Sequence, residues 1–151
     1  MDSSKHLGHR LKIINDTIVA DGNAIMKEKK LTLSQVRLLV FLRHHGGSAH
    51  QKELEDFFGV THPTLIGIIK RLEAKGMVAV SIDNDDRRAR IISLTESGDK
   101  ECDYARKGVE KVEAILVEGF TEEEIIQLGN MLDRVMDNLR KNVNTYTQKG
   151  E

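Results

Sequence analysis

The segment from Thr61 to Leu94 changes its hydrophobic period once, and that change limits the possible folds more than any other feature of the chain. From Thr61 to Lys75 the apolar residues Leu65, Ile68, Ile69 and Leu72 fall at i, i+3, i+4 and i+7, which is one face of a helix. Pro63, Gly67, Lys70 and Ala74 lie roughly opposite, so the outer face is small and basic. Pro63 falls in the first turn, where its missing N–H costs nothing. Gly76 ends the helix, and Met77 to Ile82 is rich in strand formers in a period of two. The polar run Asp83-Asn84-Asp85-Asp86-Arg87-Arg88 predicts a turn, and Arg90 to Leu94 a second strand. The two strands make a hairpin with a long charged tip.

Helical periodicity governs the rest. Leu7, Leu11, Ile14 and Ile18 give one apolar stripe to a helix expected from about Ser4 to Lys29. Thr32 precedes Gln35 by the spacing of a capping box, and Val36, Leu39 and Val40 follow on one face of a helix that stops at Gly46-Gly47. Gln51 to Phe58 reads as a short helix burying Leu54 and either Phe57 or Phe58, with Gly59 at the turn after it. Beyond the hairpin, Thr95 stands ready to cap a helix whose Cys102, Ala105, Val109, Val112 and Leu116 nearly form a coiled-coil seam. Thr121 and Glu124 form another capping pair, followed by Ile125, Leu128, Leu132, Val135 and Leu139. Long apolar stripes at both ends of a small central module are most simply covered by a second copy of the chain.

Composition narrows the function. The net charge of -1 hides a division: residues 1–95 hold 15 Lys and Arg against 11 Asp and Glu, and the remainder 8 against 13. Any contact with a polyanion is therefore expected to be local and to use the first two-thirds of the chain. Four Phe, two Tyr and no Trp disfavour a single-strand binder that stacks bases on aromatic platforms. The lone Cys102 cannot form an internal disulfide or a multi-cysteine zinc site, and on an apolar stripe it reads as a small hydrophobe. The spacing of His6 with His9, and of His44 and His45 with His50, would allow metal ligation, yet no cysteine or carboxylate cluster accompanies them, so no metal site is assigned. No phosphate-binding Gly-rich loop, no His-Glu-x-x-His and no nucleophile with an evident base is present, so neither catalysis nor a cofactor is expected. No apolar run approaches the roughly 18 residues of a membrane span, and the first 30 residues lack a signal-peptide core, so a cytoplasmic location without membrane contact is expected.

Two short helices joined by a tight turn, then a hairpin with arginines at its tip, match a winged helix-turn-helix in order and size. The fold class expected is thus mainly α with a small β-hairpin wing, flanked by long N- and C-terminal helices. Three stretches resemble the MarR family of bacterial transcription regulators. They are Leu31-Thr32-Leu33-Ser34-Gln35, the run from Thr64 to Val78 containing Lys70-Arg71-Leu72-Glu73-Ala74-Lys75-Gly76, and Asp83 to Ala89 leading into Leu94-Thr95-Glu96-Ser97-Gly98. The resemblance covers nearly the whole chain. It implies a single domain over 1–151, with dimerisation helices at 4–30 and 96–147 and a DNA-binding lobe at 31–95 whose wing is 77–94.

The resemblance further implies a homodimer of triangular outline, acting as a repressor on a pseudo-palindromic operator. Its recognition helices would enter adjacent major grooves of double-stranded DNA and its wings the flanking minor grooves. Arg88 would be the minor-groove arginine, oriented by Asp86, with Arg87 and Arg90 on phosphates. On the recognition helix, His62, Pro63, Thr64, Gly67, Lys70 and Arg71 are the candidate DNA-binding residues. Ile66 and Gly67 depart from the polar or arginine side chains common in the family, which shifts readout toward shape and thymine methyls. A small aromatic or phenolic effector is implied in a crevice lined by the first helix, the Thr32–His45 helix and the start of the helix after Thr95. Blander readings stay open beside these: His62 as a plain helix-start residue, the wing charges as a solvated turn with ion pairs worth about 0–1 kcal/mol, and a winged-helix protein–protein interaction module that does not read DNA.

Overall fold

A reciprocal cap at Thr32 decides where the central lobe begins. Thr32 Oγ1 accepts the N–H of Gln35 at 3.3 Å, and Gln35 Oε1 accepts the N–H of Thr32 at 3.1 Å. Two otherwise orphaned donors of the first turn are satisfied together. In the computed structural model, which describes residues 6–147, this cap opens α2 (Leu33–His44), with α1 (Leu7–Met26) before it. After α2 come β1 (Ser48–His50), α3 (Gln51–Phe58), α4 (His62–Ala74), β2 (Val78–Ile82), β3 (Arg90–Leu94), α5 (Glu96–Leu116) and α6 (Glu122–Thr147). Residues up to Glu113 form one compact unit and those from Ala114 a second.

In the first unit, α1 is shorter than the sequence predicts. It ends at Met26 and is followed by a 3-10 turn, Lys27–Lys29, while Ser4 lies outside the described residues. Asn23 Oδ1 accepts the N–H of Leu33 at 2.8 Å and so ties α1 to the start of α2. The core gathers Val36, Leu39 and Leu42 of α2, Leu54 of α3, Leu65, Ile69 and Leu72 of α4, Val78 and Ile92 of the sheet, and Cys102 and Ala105 of α5. All four apolar residues of the α4 stripe are buried, as their spacing predicts. Gln35, the one buried polar side chain among the described residues, is satisfied twice: its Oε1 also accepts from Lys75 Nζ at 3.3 Å. Lys75 Nζ donates in addition to the carbonyl of Lys30.

The hairpin of β2 and β3 becomes a three-stranded antiparallel sheet in the order β1-β3-β2. The sequence gives no expectation of β1. Its three residues pair Ser48 with Ser93, Ala49 with Ile92 and His50 with Ile91, and only Ala49 is buried. A strand this short owes its conformation to its neighbour, not to its own pattern. The choice left open on α3 is resolved as well: Phe58 packs half-buried against the core, whereas Phe57 is 64% exposed. Thr95 Oγ1 caps α5 by accepting the N–H of Gly98 at 3.1 Å and donates to the Gly76 carbonyl at 2.6 Å. Gly98 has to be glycine, because a Cβ there would stand 2.1 Å from the carbonyl oxygen of Met77.

In the second unit, Thr121 and Glu124 form the predicted reciprocal cap, at 2.9 and 3.2 Å. From this cap α6 runs with Ile125, Leu128, Leu132 and Leu139 exposed along it. No helix among the described residues is long and apolar enough to cross a membrane.

Candidate nucleic-acid interface

Burial of one face of α4 leaves the other turned outward. Thr61, at the N-cap, holds Thr64 hydroxyl to hydroxyl at 2.9 Å, and His62 and Pro63 follow in the first turn. Pro63, Thr64, Lys70 and Arg71 are exposed, and Ile66 and Gly67 half-buried. A Cβ added to Gly67 would meet nothing within 4 Å, so the surface there is open.

The wing is built by its own acidic residues. Asp83 donates its N–H to the Ala89 carbonyl at 3.1 Å, which closes the tip, and its Oδ1 accepts the N–H of Asp85 at 2.9 Å. Asp86 Oδ1 accepts the backbone N–H of Arg88 at 3.0 Å, so its contact with Arg88 runs through the main chain. Arg90 Nη1 donates to the carbonyl of Arg87 at 3.2 Å. All three arginines are exposed.

Two further carboxylate–imidazole pairs, which no spacing in the sequence announces, fasten the interface. His50 Nε2 lies 2.7 Å from Asp83 Oδ2, and His50 Nδ1 lies 3.6 Å from Glu53 Oε2. The Asp83 hydrogen bond pushes the His50 imidazole above its ordinary value, and the same bond pulls Asp83 below its own. This pair ties the base of the wing to the junction of β1 and α3. The second pair joins α3 to α4, with His62 Nδ1 2.5 Å from Glu55 Oε1, while Gln51 Nε2 donates to the same oxygen at 3.1 Å. Glu55 is held below the ordinary glutamate range, by Gln51 first and His62 second.

These elements enclose a groove between α4 and the wing, in which a hollow of about 360 Å³ has His62, Ile66 and Lys70 along one wall and Arg88 and Arg90 along the other. The structure thus brings His62, Lys70, Arg88 and Arg90 together around one groove. Pro63, Thr64 and Arg71 lie on the exposed surface of α4, and Arg87 at the wing tip.

Away from this face, Arg37, Val40, Phe41, Phe57, Phe58, Val109 and Glu113 line a hollow of about 400 Å³. Its aromatic wall is continuous, with Phe41 and Phe57 centroids 4.5 Å apart, and Arg37 at its rim is 3.9 Å from Glu113. Its helices are α2, α3 and the later part of α5, which differ from the α1, α2 and early α5 of the expected crevice. Cys102 is buried, its thiol donating to the Leu39 carbonyl at 3.6 Å and pushed up by desolvation. His45 stacks on Phe41 at 3.7 Å, and among the described residues no three His, Cys, Asp or Glu side chains form a group able to hold a metal.

Comparison with known proteins agrees with this architecture. The MarR family model matches residues 29–89, from the 3-10 turn after α1 to the wing. A Listeria monocytogenes protein described as a MarR family transcriptional regulator, solved in complex with a 26mer DNA, superposes with a TM-score of 0.83 at 25% identity, over 97% of each chain. Sequence and fold together support a winged-helix regulator of the MarR family. Two curated relatives are similar over part of the chain. The HTH-type transcriptional repressor NicR of Pseudomonas putida is 37% identical over 97 residues, which is 64% of this chain and 61% of NicR. The HTH-type transcriptional regulator YwaE of Bacillus subtilis, itself uncharacterized, is 32% identical over 93 residues, or 62% of this chain and 54% of YwaE. The alignments thus span little more than half the length of these relatives.

Proposed function

We propose that the chain is a transcriptional repressor of the MarR type that binds a pseudo-palindromic double-stranded DNA site as a homodimer. One observation carries this reading: Lys70 of α4 and Arg88 and Arg90 of the wing converge with His62 on a single groove, at the open face of a helix whose other face is core. A helix of this size fits a major groove, and arginines on a thin hairpin suit the narrow, strongly negative minor groove beside it. The DNA in the Listeria complex and the repressor name of NicR support the same assignment. Dimerisation accounts for apolar side chains that each unit leaves exposed by itself, Leu7, Ile13 and Ile14 in the first and Ile125, Leu128 and Leu132 in the second. The Phe41–Phe57–Phe58 hollow, with Arg37 at its rim, suits a small aromatic acid as effector. An effector that favours the conformer with mis-spaced recognition helices releases DNA, and a coupling of about 1–3 kcal/mol changes affinity roughly 5–150-fold. Selection of duplexes from a random pool tests the main reading, which requires an enriched sequence with two-fold symmetry. Titration of phenolic acids into the resulting complex tests the effector, which is dropped when none of them loosens the DNA.

A further inference from the structure

The C-terminal end of α4 is fastened from two sides. Lys75, the C-cap residue, is exposed, and its Nζ donates to the carbonyl of Lys30 and, at 3.3 Å, to Oε1 of the buried Gln35. Lys30 has a φ of 53° and is the one non-glycine residue in the left-handed region among the described residues. In that conformation it closes the 3-10 turn after α1, its N–H donated to the Lys27 carbonyl at 3.0 Å. On the other side, Gly76 and Met77 leave α4 and offer their carbonyls to the hydroxyl and the N–H of Thr95, at 2.6 and 3.1 Å. Thr95 thus holds the helix end from the start of α5, and Lys75 holds it from the junction of α1 and α2.

That junction has little room to give. A Cβ on Gly22 of α1 would stand 2.7 Å from Leu33 Cδ2, and one on Gly108 of α5 would overlap Met26 Cε. The bond from the Leu33 N–H to Asn23 Oδ1, at 2.8 Å, fixes the two helices further. Along α1, Leu7, Ile13 and Ile14 are the exposed residues that the dimer reading gives to the second copy. The buried stripe of α4 keeps the helix on the core, but apolar burial is non-directional and lets a helix roll or slide slightly. Hydrogen bonds prescribe a length and a direction. Lys75 is therefore the side chain that ties the pitch of α4 to the end of α1.

We propose that Lys75 is a positioning residue that locks α4 to the α1–α2 junction and thereby sets the half-site spacing that two copies of the chain accept. The inference rests on the dimeric DNA-binding reading above and adds the residue that gives it a spacing. One base pair inserted between half-sites moves one of them by about 3.4 Å and turns it by about 35°. Two locked helices do not follow such a change, whereas helices released at one end do. Lys75 needs no phosphate for this role, since its Nζ is engaged within the lobe.

The test measures dissociation constants of the full-length wild type, Lys75→Met, Lys75→Gln and Lys75→Arg on the duplex recovered by selection. The same proteins are titrated with duplexes that have one or two base pairs added or removed between the half-sites. Wild type should bind each altered duplex at least about tenfold more weakly than the selected one, and in Lys75→Met this ratio should drop to about threefold or less. Lys75→Gln, whose amide is carried on a shorter stem, should behave as Lys75→Met does, and Lys75→Arg, which keeps a long donor, should restore the wild-type ratio. A loss of stability alone would weaken binding to every duplex alike and leave the ratio unchanged. The slope of log K against log salt on the selected duplex should be the same in all four proteins. Equal spacing ratios in wild type, Lys75→Met and Lys75→Gln, each with unchanged helix content, overturn the proposal and leave DNA binding intact. A slope lower by about 0.9 in Lys75→Met makes Lys75 a phosphate contact and overturns it as well. Enrichment of a duplex without paired half-sites overturns the dimeric reading together with the proposal.

Discussion

Arg88 and His50 serve the same groove by different physics. Arg88 is exposed at the wing, and its value lies in its charge. Replacing it with alanine should weaken duplex binding and lower the slope of log K against log salt by about 0.9 for each phosphate that is no longer neutralised; titrations at several salt concentrations measure this. His50 acts through position, because its bond to Asp83 holds the wing base to the β1–α3 junction. Its folded-state pKa is raised, so its contribution to stability is complete below the unfolded value of 6.5 and disappears as pH rises through the folded one. Asp83 is shifted down from 3.8, so its share is present above that value and disappears as pH falls through the lowered one. The pair is strongest between those limits. Thermal melts of wild type and Asp83→Asn across pH should differ most near pH 5–6 and converge on the alkaline side. Arg88 was legible because an arginine in a polar turn stands out in a sequence. His50 and Glu55 were not, since their partners lie 33 and 7 positions away and only the fold brings them together.

Among the elements, caps and apolar stripes were readable and contacts between chain segments were not. Thr32 with Gln35, Thr121 with Glu124 and the stripe of α4 rest on interactions within one helix, which spacing encodes. β1 has three residues and takes its hydrogen bonds from β3, so no window of sequence could announce it. The side-chain partners of the interface depend in the same way on how α3, α4 and the wing meet. Thr32→Ala should cost about 1 kcal/mol for the missing cap, read as a lower denaturation midpoint with an unchanged slope. Gly98→Ala should cost more, about 1–3 kcal/mol, because its methyl group would press on the Met77 backbone and not on a side chain able to swing aside. The same denaturant titration ranks the two variants, and a smaller loss for Gly98→Ala would contradict the tight α5 start.

At the scale of the whole molecule, the exposed apolar residues of α6 are the debt that a second copy would settle. Leu132, at 41% exposure, lies in mid-helix, where a charge would be solvated in a monomer and buried in a dimer. Leu132→Glu should therefore leave helix content unchanged and shift the mass measured by light scattering toward one chain. DNA affinity should fall with it, because a lone lobe keeps one half-site and loses the other. The most direct test of the account is the stoichiometry and footprint of the complex on a selected duplex, measured together. Two chains per duplex, protecting two inverted half-sites about one helical turn apart, is the predicted result, and one chain on a single site without a symmetric repeat would contradict it.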